Sequence, residues 1–139
     1  MKRYVLDANA VIINFEGRSG FDKVRKVLES AAEREAEVFM SAINVAEVFS
    51  ALWKRHGQPH ARQAMHMIAS SPIVVVDATL SVALEAAEVR AKFHTSMGDC
   101  FAAVTAMSKR ATLLTSDSDF RRFDEQIKIL WLPSHKSIN

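Results

Sequence analysis

The chain has 139 residues, of which 49% are hydrophobic and 24% charged, and this composition is typical of one ordinary soluble domain over residues 1–139. Its apolar runs fall far short of the about 20 residues that cross a bilayer, and its single cysteine, Cys100, excludes an internal disulfide. The first strand begins almost at once and leaves no room for a signal peptide before Asp7. We therefore expect a cytoplasmic protein without a membrane segment.

The first half of the chain alternates between short apolar runs and amphipathic stretches. Residues 3–7 predict a strand, residues 8–15 predict a short helix, and Gly17 and Gly20 predict a turn. The next predicted elements are a helix with the apolar stripe Phe21, Val24, Val27, Leu28 and Ala31, a strand at Val38–Met40, a helix over Ile43–Arg55 with Ser41 as its cap, and a helix opened by Pro59.

The second half continues the same alternation. Residues 73–76 form a β-branched run, which is typical of a strand covered on both faces. A helix over residues 79–93 has two apolar stripes, so we expect it to be either deeply buried or shared with a partner subunit. The remaining predicted elements are an alanine-rich helix from Gly98, a strand at Leu113–Leu114 and a last strand at residues 127–132. Such an order predicts a parallel α/β sheet with helices on both faces.

Several acids occupy positions where these elements begin or end. Taken singly, each has an ordinary structural explanation. Asp7 can cap the helix after it, and Asp99 suits the first turn of a helix. Asp117 and Asp119 suit an Asx-turn or a cap for residues 120–123. Glu47 in mid-helix is normally solvated, although apolar and small helical neighbours suggest that it faces inward. None of these acids indicates a function alone.

Together, the acids predict a metal site. Asp7 and Asp117 each follow a strand, while Glu47 and Asp99 lie on helices that can pack over the same edge of the sheet. Two carboxylates at about 4 Å repel by about 4 kcal/mol at an effective dielectric near 20, so a cluster needs protons or cations. Oxygen ligands without histidine or cysteine suit Mg²⁺ or Mn²⁺.

The pattern also resembles a known family. The relevant motifs are Asp7-x-Asn9 after a strand, Glu47 in Asn44-Val45-Ala46-Glu47, Gly98-Asp99 at a helix start, and Thr115-x-Asp117-x-Asp119-Phe120. In order and spacing, from Tyr4 to about Leu132, they resemble the signatures of the PIN domain, and more narrowly those of the VapC toxins of toxin–antitoxin pairs. The resemblance implies a five-stranded parallel sheet, a homodimer, and a small antitoxin that occludes the site.

The resemblance also implies a role for each matching residue. Asp7, Glu47, Asp99 and Asp117 would hold the metal, Asp119 would assist or take the fourth ligand position itself, and Asn9 and Thr115 would orient ligands or water. The expected reaction is hydrolysis of an RNA phosphodiester assisted by one or two Mg²⁺ ions, with 5′-phosphate and 3′-hydroxyl products as in the family.

The charge balance agrees with an RNA substrate. Without the four principal acids the chain has 18 basic against 12 acidic residues, or +6, which would surround an acidic centre with a basic surface. Arg121 and Arg122 lie nearest the predicted pocket in sequence and are candidates for steering phosphate.

Two other functions stay open. In a phosphatase-like enzyme Asp7 would be a covalent nucleophile, but that chemistry would want a second acid where the chain has Asn9, and Glu47 would have no task. A non-catalytic PIN-like module would bind RNA or a protein without cutting. The histidines are not expected to bind metal, because none of them shows zinc spacing: His56, His60, His66, His94 and His135. His56 and His60 bracket a Gly-Gln-Pro turn, and we expect both to be solvated.

Overall fold

The computed structural model describes residues 1–133, in which five parallel strands form one sheet. The strands are β1 (Lys2–Leu6), β2 (Ala36–Ser41), β3 (Ile73–Val76), β4 (Thr112–Thr115) and β5 (Ile129–Trp131). The helices are α1 (Ala8–Glu16), α2 (Phe21–Ala32), α3 (Ala42–His56), α4 (Gln58–Ser70), α5 (Leu80–Phe93) and α6 (Met97–Lys109), and a 3-10 helix (Ser118–Phe123) follows β4. His135 lies outside the described residues.

The order in which the chain adds strands to the sheet changes direction between β1 and β4. Its strand order is β3-β2-β1-β4-β5, and every pairing is parallel. The chain thus moves outward from β1 to β3 and then returns to the other side of β1. Open α/β sheets bind ligands beyond the carboxyl ends of the strands at such a switch point. Asp7 follows β1 and Asp117 follows β4, so both acids flank this position.

Alternation along the strands divides the core between the two faces of the sheet. Leu6, Val38 and Leu114 pack with apolar residues of α1, α2, α3 and α4. Their neighbours Val5, Phe39 and Leu113 pack instead with α6 and the 3-10 helix. Because successive strand residues point to opposite faces, the helices cover both faces, as the sequence predicts.

Polar side chains cap the N-termini of the three helices that border the pocket, α1, α3 and α6. Asp7 caps α1 by accepting from the N–H of Ala10, Ser41 caps α3 by accepting from Ile43, and Ser96 caps α6 by accepting from Asp99. The cap at Ser41 was predicted. Each cap satisfies an N–H that has no partner within its helix and fixes where the helix leaves the edge of the sheet.

Two predictions about packing are wrong in part. The run Ile73–Val76 is a strand, but it is an edge strand with Val74 53% and Val75 42% exposed, because nothing pairs beyond β3 in the described sheet. Helix α5 is not deeply buried: Ala86 packs on α6, whereas Leu80 and Leu84 are 76% and 58% exposed. The last strand is also shorter than expected, at Ile129–Trp131.

Within residues 1–133, no helix combines the length and the apolar character that a membrane crossing requires.

Candidate metal centre

A pocket opens at the switch point of the sheet, between the first turns of α1, α3 and α6. It has a volume of about 320 Å³. Its lining includes every acid that the sequence analysis singled out: Asp7, Glu47, Asp99, Asp117 and Asp119. These residues are far apart in sequence, and the sheet and the helix starts bring them to one place.

Asp7 is the most buried of these acids, with 6% of the residue exposed. Its Oδ1 accepts from the N–H of Ala10 at 2.8 Å, and its Oδ2 accepts from the hydroxyl of Thr115 at 2.5 Å. The β1–β4 register pairs Leu6 with Leu114, so Asp7 and Thr115 are the next residues on neighbouring strands. The hydroxyl of Thr115 in turn accepts from the N–H of Asp117 at 3.0 Å. This chain of hydrogen bonds fixes the Asp7 carboxyl against β4.

Burial raises the pKa of Asp7 from its ordinary value of 3.8 to about 7. The hydrogen bonds from Thr115 and Ala10 oppose this shift, and the negative charges of Asp99 and Asp117 add to it. A buried carboxyl in this condition holds a proton near neutral pH unless a cation replaces that proton. A cation beside this carboxyl would favour its charged form.

Asp99 lies in the first turn of α6, where the helix dipole favours a negative charge. Its Oδ2 accepts from the hydroxyl of Thr95 at 2.9 Å, and its N–H donates to Ser96. Burial is the largest cause of a raised pKa at Asp99; Thr95 lowers it and Asp117 raises it. Burial and neighbouring carboxylates thus raise the pKa of Asp99, as they raise that of Asp7.

Asp99, Asp117 and Asp119 form the closest group. One carboxylate oxygen from each lies within 4.8 Å of the others. Asp117 is held by its own turn, because its Oδ1 accepts from the N–H of Asp119 at 2.9 Å. Three carboxylates at this separation, with Asp7 and Glu47 lining the same pocket, are an all-oxygen donor set that fits Mg²⁺ or Mn²⁺.

Glu47 reaches the pocket from the second turn of α3. The residue is partly exposed to solvent, but its carboxylate faces the pocket, in the direction that the sequence predicts. Its carboxylate lies against Gly98: a Cβ at Gly98 would stand 2.1 Å from Oε2. The amide of Asn44 donates to Oε1 at 2.7 Å and to the carbonyl of Gly98 at 3.1 Å. Asn44 therefore ties Glu47 to the start of α6.

The remaining predicted site residues lie in different surroundings. Asn9 is exposed and lines the pocket, and Thr115 is fully buried beneath Asp7. Arg121 and Arg122 are exposed and do not line the pocket. The guanidinium of Arg122 donates to the carbonyls of Asp119, Phe93 and His94. Phosphate steering by this pair has no support from the geometry.

Asn44, Thr95 and Ser96 were not predicted as site residues, although each holds a carboxylate or the helix that carries one. A local signal existed for two of them. Ser96-Met97-Gly98-Asp99 has the spacing of a helix cap followed by a first-turn acid, and Asn44 precedes Glu47 by one helical turn. Thr95 has no comparable signal, because its contact with Asp99 depends on how the chain enters α6.

This arrangement agrees with a comparison with known families. The family model of the PIN domain matches residues 4–126. The chain belongs to the PIN domain family. No curated protein matches the chain.

Solved structures share this PIN fold at low sequence identity. The chain is similar to one in the structure of VapBC2 from Rickettsia felis bound to a DNA fragment from their promoter (TM-score 0.74, 16% identity, 94% of this chain and 98% of that chain covered). It is also similar to a chain in the structure of DNA-bound VapBC from Salmonella typhimurium, with a TM-score of 0.70 and 19% identity over 94% of this chain and 98% of that chain. A third similar structure is VapC20 from Mycobacterium tuberculosis, described as a sarcin–ricin loop cleaving toxin (0.68, 17%, 85% and 92%).

Proposed function

We propose that this PIN domain, over residues 1–139, is a Mg²⁺-dependent endoribonuclease and the toxin of a toxin–antitoxin pair. The observation that carries the proposal is the convergence of five carboxylates on one pocket at the switch point of the sheet. A phosphodiester is a polyanion, and it can approach such a pocket only if cations offset the carboxylates.

Asp7, Glu47, Asp99 and Asp117 are the proposed metal ligands, and Asp119 competes with Asp117 for the fourth position. Mn²⁺ would suit the same oxygens, and either one or two ions would satisfy the proposal. When bound, the metal supplies an activated water and offsets the charge that develops on the phosphate.

The chain's own residues position this chemistry. Thr115 holds Asp7 through a hydroxyl that is itself held by the backbone of Asp117. Thr95 holds Asp99, and Asn44 holds Glu47. Fixed carboxylates lose little conformational entropy when they bind a cation, and they keep its open positions aimed into the pocket. Asn9 is proposed to orient a ligand or water at the rim.

The toxin role rests on the similar structures. Two of them are VapBC complexes bound to DNA, and a third is described as a toxin that cleaves the sarcin–ricin loop. By analogy with these structures, we propose that this chain has a cognate antitoxin that covers the pocket and that its substrate is RNA. We propose that Leu80 and Leu84, which are exposed one helical turn apart on α5, belong to the homodimer face, since adjoining exposed apolar side chains mark interaction sites. A cytoplasmic location is part of the proposal, because the RNA substrate is there.

The alternatives are less well supported. A phosphatase with Asp7 as nucleophile would want a second acid where the chain has Asn9, and it would leave Glu47, which lines the same pocket, without a task. A non-catalytic module would have no need for five acids in one pocket, two of which have a raised pKa.

The test is cleavage of RNA by the purified protein without its partner. We expect cleavage in Mg²⁺, none in EDTA, and a loss of at least about 100-fold in Asp99→Asn, while Asp77→Asn, an exposed acid outside the pocket, cleaves normally. Cleavage that survives EDTA or Asp99→Asn would contradict the proposal. RNA binding without cleavage would favour the non-catalytic module, and a phosphoenzyme trapped on Asp7 would favour the phosphatase.

A further inference from the structure

A second cluster of ligand side chains lies where α1 and α3 end. Glu16 is the last residue of α1, His56 is the last residue of α3, and His60 lies in the first turn of α4. One ligand atom from each of the three lies within 4.8 Å of the others. His56 is exposed, as expected, and His60 is half-buried, but both rings are turned toward one carboxylate.

The distances within this cluster suit a small cation. Nε2 of His56 lies 3.2 Å from Oε2 of Glu16, and Nε2 of His60 lies 3.7 Å from the same oxygen. Ligands around a tetrahedral Zn²⁺ with bonds of about 2.0–2.1 Å are separated by about 3.3 Å. The three atoms could meet such an ion after small side-chain rotations.

The backbone brings the two rings together. Gly57, between α3 and α4, has a φ of 93°, which a residue with a side chain rarely adopts. This turn brings His60 back onto His56, and the two ring centroids are 4.7 Å apart. The edge-to-face contact of Phe15 with His60 at 5.0 Å holds the second ring from the other side.

Two buried atoms of the cluster, Nε2 of His60 and Oε1 of Glu16, have no hydrogen-bond partner within residues 1–133. A buried polar atom without a partner is costly, and native proteins rarely leave one. Because Nε2 of His60 faces a carboxylate and a second imidazole, a cation would satisfy all three groups at once.

Arg18 does not take the place of that cation. Its Nη2 lies 2.7 Å from Oε1 of Glu16, at the distance of an ion pair although without the angles of a hydrogen bond. The histidines face the other oxygen, Oε2. Arg18 thus fixes the plane of the carboxylate and leaves Oε2 to the imidazoles, as outer partners of metal ligands do.

We propose that Glu16, His56 and His60 form a Zn²⁺ site. Two imidazoles and one carboxylate are a donor set that zinc favours, and a set of three protein ligands leaves a fourth position for water or another molecule. The pocket at the switch point has oxygen ligands only, so the two sites differ in the metals that they prefer.

A cation at this cluster would join two helices that also frame the acidic pocket. Glu16 is nine residues after Asp7 along α1, and His56 is nine residues after Glu47 along α3, which places the cluster about 14 Å from those acids at 1.5 Å per residue. Zn²⁺ would then clasp α1 to the turn between α3 and α4. This inference does not depend on the proposed ribonuclease activity.

The experiment measures Zn²⁺ binding by calorimetry to the tag-free full chain at pH 7.5. The background is the double variant Asp99→Asn with Asp117→Asn, which weakens the acidic pocket as a competing site. In this background we expect one Zn²⁺ per chain, a higher melting temperature in Zn²⁺, and, with Co²⁺ as a spectroscopic probe, visible absorption of the intensity that four-coordinate Co²⁺ gives.

Substitutions of the ligands decide the result. Loss of an outer partner of a metal ligand costs about 10-fold or more in affinity, so His56→Gln, His60→Gln and Glu16→Gln are each expected to cost at least that. His66→Gln, an exposed histidine on α4 outside the cluster, should bind as the background does. Melting without metal shows that each variant folds. Unchanged binding in the histidine variants, or no binding in the background, would overturn the proposal.

Discussion

At the scale of single residues, the pKa of Asp7 predicts a dependence of stability on pH. Its folded-state pKa of about 7 lies above the ordinary 3.8, because burial disfavours the charged carboxylate. Between these values the folded protein keeps a proton that the unfolded chain has lost. The contribution of Asp7 to stability is therefore fully present below pH 3.8 and is lost as the pH rises through about 7.

The variant Asp7→Asn tests this linkage. Without divalent metal, the free energy of unfolding of the parent should fall as the pH rises from about 5 to about 7, by up to about 1.4 kcal/mol per pH unit from this group. Asp7→Asn should remove that part of the slope and be more stable than the parent at pH 7.5, while Asp77→Asn should keep the slope. Urea unfolding at several pH values measures the dependence of the free energy of unfolding on pH in all three proteins. Equal slopes in the parent and Asp7→Asn would show that this carboxyl titrates normally.

Gly98 is predicted to act through Glu47. A methyl group at Gly98 would stand 2.1 Å from Oε2 of Glu47, and the carboxylate, at the end of a flexible side chain, is the group that can move. Gly98→Ala should therefore leave the free energy of unfolding nearly unchanged and weaken Mn²⁺ binding as much as Glu47→Gln does. Calorimetric titration with Mn²⁺ measures both effects.

The double variant provides the control for Gly98. If the methyl group acts by displacing Glu47, Gly98→Ala with Glu47→Gln should bind Mn²⁺ as weakly as Glu47→Gln alone. Additive losses would mean that Gly98 affects the pocket by another route.

The acids were readable from the sequence, but most of their partners were not. Asp7, Asp99 and Asp117 stand where a strand ends or a helix starts, and such positions are visible in an apolar pattern. Asn44 also donates to the carbonyl of Gly98 across two helices, which no local pattern specifies, and the contact of Thr95 with Asp99 depends on how the chain enters α6. The group Glu16, His56 and His60 was missed because Glu16 lies 40 residues before His56 in the sequence, and only the fold brings its carboxylate to the two rings.

At the scale of elements, the 3-10 helix after β4 is tied to the end of α5. Arg122 donates to the carbonyls of Phe93 and His94 at the end of α5 and to that of Asp119 within its own turn. These hydrogen bonds hold the segment that carries Asp117 and Asp119, so the arginine supports the pocket without lining it.

Arg122→Ala should therefore lower the free energy of unfolding more than Arg121→Ala does. We expect a loss of about 1 kcal/mol in the free energy of unfolding, because exposed hydrogen bonds from a charged donor contribute modestly. Arg121→Ala, which loses a contact over the ring of Trp131, should cost less. Urea unfolding gives the two values. If instead both variants unfold like the parent and raise the KM for RNA, the pair steers phosphate as the sequence analysis expected.

Helix α5 offers the prediction about assembly. Leu80 and Leu84 form the exposed part of its apolar stripe. If this stripe is the homodimer face, Leu84→Glu should convert a dimer to a monomer, because a buried unpaired charge is costly at an interface. Analytical ultracentrifugation compares it with Ser81→Glu, an exposed polar position on the same helix. A parent that is monomeric, or a Leu84→Glu variant that remains dimeric, would rule out this face.

Element types were predictable and their environments less so. Strand–helix alternation and capping residues gave helix limits within a residue or two, as for α1, α3 and α5. The β-branched run of β3 predicted a strand covered on both faces, but composition does not reveal strand order, and the sheet places β3 at an edge with Val74 and Val75 exposed. Likewise, the two stripes of α5 left burial and partnership open until the structure excluded deep burial.

At the scale of the whole molecule, the fold explains why the acids converge. A parallel sheet brings the ends of β1 and β4 together at its switch point, and the caps Asp7, Ser41 and Ser96 start three helices at the same edge. The chain thus concentrates negative charge at one rim while its overall charge is +2. A cation is the simplest way to offset that concentration.

The most direct measurement is a crystal structure of the protein grown with Mn²⁺ and recorded with anomalous scattering. We predict an anomalous peak in the pocket, bonded to Asp99 and to Asp117 or Asp119 at about 2.0–2.6 Å, with Asp7 or Glu47 completing the site. The same map would count the ions and decide between Asp117 and Asp119. A pocket without a peak at saturating Mn²⁺, or a peak that contacts none of these carboxylates, would contradict the account.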